Sequence, residues 1–140
     1  MDRFELSEVL NARVESDGFE SLTVPEQAFV AIWVLEADVN NGGFDQYFFN
    51  SAGDYARLVP MALRAIGAAQ AAAIVDTANA VFGPAGPPPG RDERQRALDA
   101  LGDDRARLFE LVDQRFVAYP DDLQGLLEAY VEAHASEFRQ

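Results

Sequence analysis

The spacing of apolar positions along the chain is helical almost throughout. Phe4, Leu6, Val9, Leu10 and Val14 predict a first helix that stops before Asp17-Gly18. Thr23-Val24-Pro25-Glu26 predicts the start of a second. Thr23 can cap it, Pro25 suits a first turn, and Glu26 stands three residues beyond the cap, where its side chain can reach back. Phe29, Ile32, Trp33, Leu35 and Val39 carry the pattern on to Asn40-Asn41-Gly42-Gly43, which predicts a stop because Gly and Asn accept the left-handed conformation of a helix end. A short helix through Gln46-Tyr47-Phe48-Phe49 and a turn at Ser51–Asp54 follow. Two further helices are expected at Tyr55–Ile66 and Ala68–Phe82, with a break near Gly67. Gly83–Gly90 holds three consecutive prolines and reads as a non-helical linker. Arg91–Leu101 and Asp104–Tyr119 predict a long helical stretch bent at Gly102. After Pro120-Asp121-Asp122 a last helix sets Leu123, Leu126, Leu127, Tyr130, Val131, His134 and Phe138 on one stripe. The expected architecture is all-α, a single domain over residues 1–140 built as a bundle of about six to eight helices.

Composition narrows the function classes. Hydrophobic residues make up 49% of the 140, too many for a disordered acidic tail. The chain has no cysteine, which excludes disulfides, zinc–thiolate sites and thiol catalysis. There are 24 acidic and 11 basic residues, a formal net charge of −13, and every basic residue is arginine. A direct nucleic-acid reader needs a basic footprint, and a polybasic membrane anchor needs the same, so neither is expected. Met1–Leu10 has no apolar core of a signal peptide, and no apolar stretch approaches a membrane span. The cytoplasm is the expected location.

Candidate chemistry is sparse. His134 is the only histidine, and His134-x-x-Glu137 falls short of a metal ligand set. A packed histidine is the expectation. Asp38-x-Asn40-x-Gly42 opens like a calcium loop, but its twelfth position is Phe49 where a glutamate is required. Gly42-Gly43 lacks the lysine of a phosphate loop, and no serine can be placed beside a base. No cofactor, metal or catalytic residue is therefore assigned. Glu36 shares a helix face with Phe29, Trp33 and Asn40. If buried it needs donors, and Asn40, Asn41, Gln46 and Tyr47 are the local ones.

Charge is distributed unevenly. No basic residue stands between Arg13 and Arg57, an interval that holds Glu15, Asp17, Glu20, Glu26, Glu36, Asp38, Asp45 and Asp54. From Arg91 onward acids and arginines are mixed. Carboxylates one helical turn apart lie roughly 5–6 Å from one another at Cβ. One DNA strand presents a phosphate every ~3.4 Å of rise, so a row of surface carboxylates can approximate part of a phosphate track. The simpler reading of the same charge is solubility.

One segment carries more than a pattern. Val39-Asn40-Asn41-Gly42-Gly43-Phe44-Asp45-Gln46-Tyr47-Phe48-Phe49-Asn50, followed by Ala62-Leu63-x-x-Ile66-Gly67-Ala68, strongly resembles the bacterial DNA-mimic protein family, and the resemblance runs from about Pro25 to the last helix. It implies a helical fold and an activity: an acidic, homodimeric protein whose surface imitates duplex DNA and occupies the DNA-binding face of a transcription factor. The motif itself is mostly uncharged. Glu36, Asn40, Asn41, Gly42, Gly43, Phe44, Gln46, Tyr47, Phe48 and Asn50 therefore read as cap, turn and packing residues. The partner would be a basic DNA-binding protein, and the contacts would come from surface acids, with Glu15, Asp17, Glu20, Glu26, Asp38, Asp45 and Asp54 as candidates.

Two other readings use the same region. An adaptor or immunity-type protein could present Phe44, Tyr47, Phe48 and Phe49 as an apolar groove. A small-ligand binder or enzyme could gather Glu36, Gln46, Tyr47 and Asn50 around one pocket.

Overall fold

The computed structural model describes residues 1–139. Seven α-helices follow one another: α1 (Arg3–Asp17), α2 (Val24–Phe49), α3 (Val59–Ala65), α4 (Ala69–Ala80), α5 (Arg91–Ala100), α6 (Arg105–Val117) and α7 (Leu123–Ala133). Single 3-10 turns sit at Phe19–Ser21, Ser51–Tyr55, Gly102–Asp104 and Ala135–Glu137. The all-α expectation holds, with no strand among the described residues.

Helix α2 is the axis on which α1, α3, α5, α6 and α7 pack, while α3 and α4 form a hairpin that closes against α6. Its entry is the predicted one. The Thr23 hydroxyl accepts the Glu26 N–H at 3.2 Å and the Glu26 carboxylate accepts the Thr23 N–H at 2.8 Å. The helix path breaks at Gly42 and Gly43, where φ/ψ of 73°/−174° at Gly43 takes the chain out of helical space. The second half, from Phe44, then turns its aromatic face inward. Phe44, Tyr47 and Phe48 are fully buried. Phe44 meets Phe116 edge-on at 5.9 Å, and Phe48 meets Phe82 at 4.8 Å and Phe109 at 5.6 Å. These ring contacts tie α2, α4's end and α6 into one core.

Two expected helices are shorter than the apolar pattern suggested. Tyr55 ends a 3-10 turn, Ala56–Leu58 is a turn, and α3 begins only at Val59. Pro60 supplies the reason: it fits a first turn but cannot donate to a carbonyl four residues back. The Ala56 carbonyl that such a helix would have used accepts from Asn79 Nδ2 at 2.9 Å instead. The last helix ends at Ala133, short of His134 and Phe138. Phe138 still reaches the core after the 3-10 turn at Ala135–Glu137, edge-on to Phe29 at 6.2 Å.

The Gly83–Gly90 segment is anchored. Arg57 donates to the Ala85 and Pro87 carbonyls at 3.0 and 2.9 Å, and Arg94 donates to those of Pro88 and Pro89 at 3.3 and 2.9 Å.

Candidate functional site

The interval that is base-free in sequence is not base-free in space. Glu26 was expected on the acidic surface. It is instead 0% exposed, between Arg13 Nη1 at 2.8 Å and Arg139 Nη2 at 3.1 Å, with the Arg139 N–H also donating at 3.0 Å. Burial alone would push its pKa up, but the Thr23 N–H and the two arginines outweigh this and hold it below the ordinary glutamate value. Capping box and ion pair thus fix Glu26 inside the molecule, where no partner can reach it. Asp54 accepts from Arg94 Nη2 at 2.8 Å, and Asp45 from Arg105 Nε at 3.0 Å. Both keep part of their surface, but each is already matched by a cation.

The remaining acids of that interval make no ion pair among the described residues. Glu15, Asp17 and Glu20 are exposed and Asp38 is half-buried. Asp38 Oδ1 accepts from Gln46 Nε2 at 3.0 Å, and Gln46 Oε1 accepts from Asn41 at 3.0 Å, so two motif amides hold this carboxylate in place. Glu20 and Asp54 flank the Tyr55 phenol, whose pKa is pushed up first by burial and then by these two charges. The Tyr55 ring stacks on Phe19 at 4.3 Å.

Two acids outside that interval, Glu5 and Glu8, join Glu15 in a row on α1. Leu6, Leu10 and Val14 turn one side of the helix to the core, and Glu5, Glu8, Ala12 and Glu15 lie on the opposite side, all exposed. The helix carries two arginines, and neither stands on that side. Arg13 is drawn to Glu26, and Arg3 pairs with Glu128 at 3.1 Å. The charged residues on the outer side of α1 are therefore all acidic. Helical spacing could have revealed it, because positions 5, 8, 12 and 15 share a face.

Several motif residues take partners from distant parts of the chain. Glu36 Oε2 accepts from the Tyr119 hydroxyl at 2.6 Å, which in turn accepts from Asn40 Nδ2 at 2.6 Å. Tyr119 makes this bridge from φ 52°, the one positive φ outside glycine among the described residues. Of the four donors expected for Glu36, only Asn40 takes part, and indirectly. The Phe44 N–H donates to Asp113 Oδ1 at 2.8 Å, so α6 caps the second half of α2. Burial raises the Asp113 pKa more than this bond lowers it. Arg94 is 0% exposed and donates to the Phe48 and Asn50 carbonyls, both at 2.8 Å. A Cβ on Gly53 would lie 2.8 Å from its Nε, so this corner requires a glycine.

These placements separate the competing readings. Phe44, Tyr47 and Phe48 are core residues and only Phe49 is exposed, at 44%, so the proposed apolar groove does not form. Glu36, Gln46, Tyr47 and Asn50 do not converge. Glu36 lines a cavity of about 250 Å³ with Trp33 and Asn40, Gln46 and Asn50 line another, and Tyr47 lies in the core. Among the described residues no group of three His, Asp or Glu could hold a metal, and no helix is long and apolar enough to cross a membrane. His134 packs on Tyr130 at 4.2 Å.

Fold and site together define a small all-helical protein with an arginine-clamped interior corner and an acidic helix side. Residues 20–134 match the family model described as DMP19-like protein, and the chain belongs to that family. The match begins ahead of α2 and ends just after α7, so it takes in the whole Asn-Gly-Gly-Phe corner and leaves all of α1 outside. No curated protein and no solved structure matches the chain.

Proposed function

We propose that this protein is a DNA mimic that binds a basic DNA-binding protein, such as a transcription factor, at the surface that protein uses for DNA. Family membership supports the reading, and the outer side of α1 carries it. From Glu5 through Glu8 to Glu15 is ten steps along the helix, roughly 15 Å of helical rise. One DNA strand places about four phosphates in that length, at ~3.4 Å of rise each. The carboxylates project from a rigid helix, and the two arginines that could neutralise them are held elsewhere. A cationic DNA-binding surface approaching this side meets an uninterrupted negative potential, which speeds encounter and excludes acidic partners.

The test is capture of partners from a lysate of the source organism at low and high salt, followed by competition. The expected result is a DNA-binding protein released by salt, whose own DNA is displaced by this chain. The Glu5→Gln, Glu8→Gln, Glu15→Gln triple variant should lose most of that displacement while melting like the parent. Displacement unchanged in the triple variant would contradict the reading.

A further inference from the structure

The acidic side of α1 continues into an open groove of about 610 Å³ between α1, α2 and the Asn50–Tyr55 turn. Its floor is apolar, formed by Val14 of α1, by Val30, Val34 and Ala37 on one side of α2, and by Ala52. Two carboxylates stand over that floor, Glu15 from α1 and Asp38 from α2. Asp38 is oriented by Gln46, which uses Oδ1 and leaves Oδ2 with no protein donor among the described residues. Tyr55 lines the turn side of the groove. Arg91 is the one cation among the described lining residues, and its Nε is held on the Phe49 carbonyl at 3.1 Å rather than on either carboxylate.

An apolar floor under unmatched carboxylates suits a side chain with an aliphatic stem and a cationic head. Arginine fits better than lysine here. Its planar guanidinium can lie against an aromatic ring and present paired N–H donors to a carboxylate, whereas an ammonium is a compact and strongly hydrated charge.

We propose that this groove receives an arginine side chain of the basic partner, with the stem on Val14 and Val34 and the guanidinium between Glu15 and Asp38 beside Tyr55. The inference rests on the mimic reading for its partner. It adds a specific anchoring point to what would otherwise be a diffuse electrostatic attraction. In this arrangement α1 supplies the long-range field and the groove supplies the register.

Hexa-arginine and hexa-lysine peptides are the probes, with binding followed by amide shifts and calorimetry. Hexa-arginine should shift Val14, Val34, Ala37 and Tyr55 before other residues and should bind more tightly than hexa-lysine. The Glu15→Gln, Asp38→Asn pair should weaken hexa-arginine about tenfold, the scale of one charged hydrogen bond. The Glu5→Gln, Glu8→Gln pair removes the same charge outside the groove and should weaken it only about twofold, as exposed charges do. Both pairs should melt within a degree or two of the parent, since the amide oxygen introduced by Asp38→Asn can still accept from Gln46. Equal losses in the two pairs, shifts spread over all acidic surfaces, or no binding would overturn the groove. Such a result would leave the mimic reading to its own competition test. Groove binding of hexa-arginine without displacement of any partner's DNA would instead keep the groove and remove the mimic.

Discussion

The two buried charge sites, the Arg94 corner and Glu26 at the α2 entry, and the outer side of α1 draw on the same residue types and use them in opposite ways. In the corner and at the α2 entry, each buried charge is surrounded by partners. Arg94 donates to four backbone carbonyls and to Asp54, and Glu26 accepts from two arginines and two N–H groups. On α1, Glu5, Glu8 and Glu15 make no ion pair among the described residues. The first arrangement fixes the fold. The second stores negative potential at the surface, and the fold tolerates it because exposed charges interact weakly across water. Acid count along the sequence cannot separate the two.

The largest effect should come from breaking the corner. Arg94→Met leaves four carbonyls without their donor in a buried site, and should cost about 3–5 kcal/mol in chemical denaturation. Arg94→Lys should recover little of it, because an ammonium cannot reach acceptors on several sides at once. Glu26→Gln should cost about 2–4 kcal/mol by the same measurement, since it strands Arg13 and Arg139 beside a neutral amide. The wild type carries a related pH signature. The Glu26 pKa is lowered in the folded state, so its stabilisation is complete above the ordinary glutamate value and is lost as pH falls through the lowered one. Acid unfolding of Glu26→Gln should therefore begin from a lower stability but fall less steeply below about pH 4.3.

Gly43→Ala sharpens the comparison at the break inside α2. At φ 73° an alanine is strained, and its Cβ would lie 2.5 Å from Asp113 Oδ2. The expected loss is about 1–3 kcal/mol in the same denaturation. The smallest effect on stability belongs to α1. Neutralising Glu5, Glu8 and Glu15 together should move it by no more than about 0.5 kcal/mol, since surface changes away from specific contacts are nearly neutral. The two regions would then differ in kind: one decides whether the chain folds, and the other what the folded chain can bind.

Local chemistry was readable in the sequence. Thr23, Pro25 and Glu26 announce the start of α2, and Gly42-Gly43 announces its break, because each depends on residues within one turn. Spatial pairing was not. Arg94 meets acceptors more than forty residues earlier in the chain, and Tyr119 reaches Glu36 across eighty-three positions. Arg94 shares a helix face with Leu98 and Leu101, but nothing local to it names the carbonyls it meets. Glu26 shows the conflict most clearly. Its cap position argued for a local role and its place in a base-free interval argued for the surface, and a cation from α1 with another from the chain end decided for the interior.

The central claim is that the α1 side and its groove bind a basic DNA-binding protein in place of DNA. The most direct measurement is the salt dependence of competition between this chain and DNA for the captured partner, made for the parent and the α1 triple variant. The account predicts displacement that weakens steeply with salt in the parent, with a flatter dependence and weaker displacement in the variant. Equal displacement and equal salt dependence in the two proteins would contradict it.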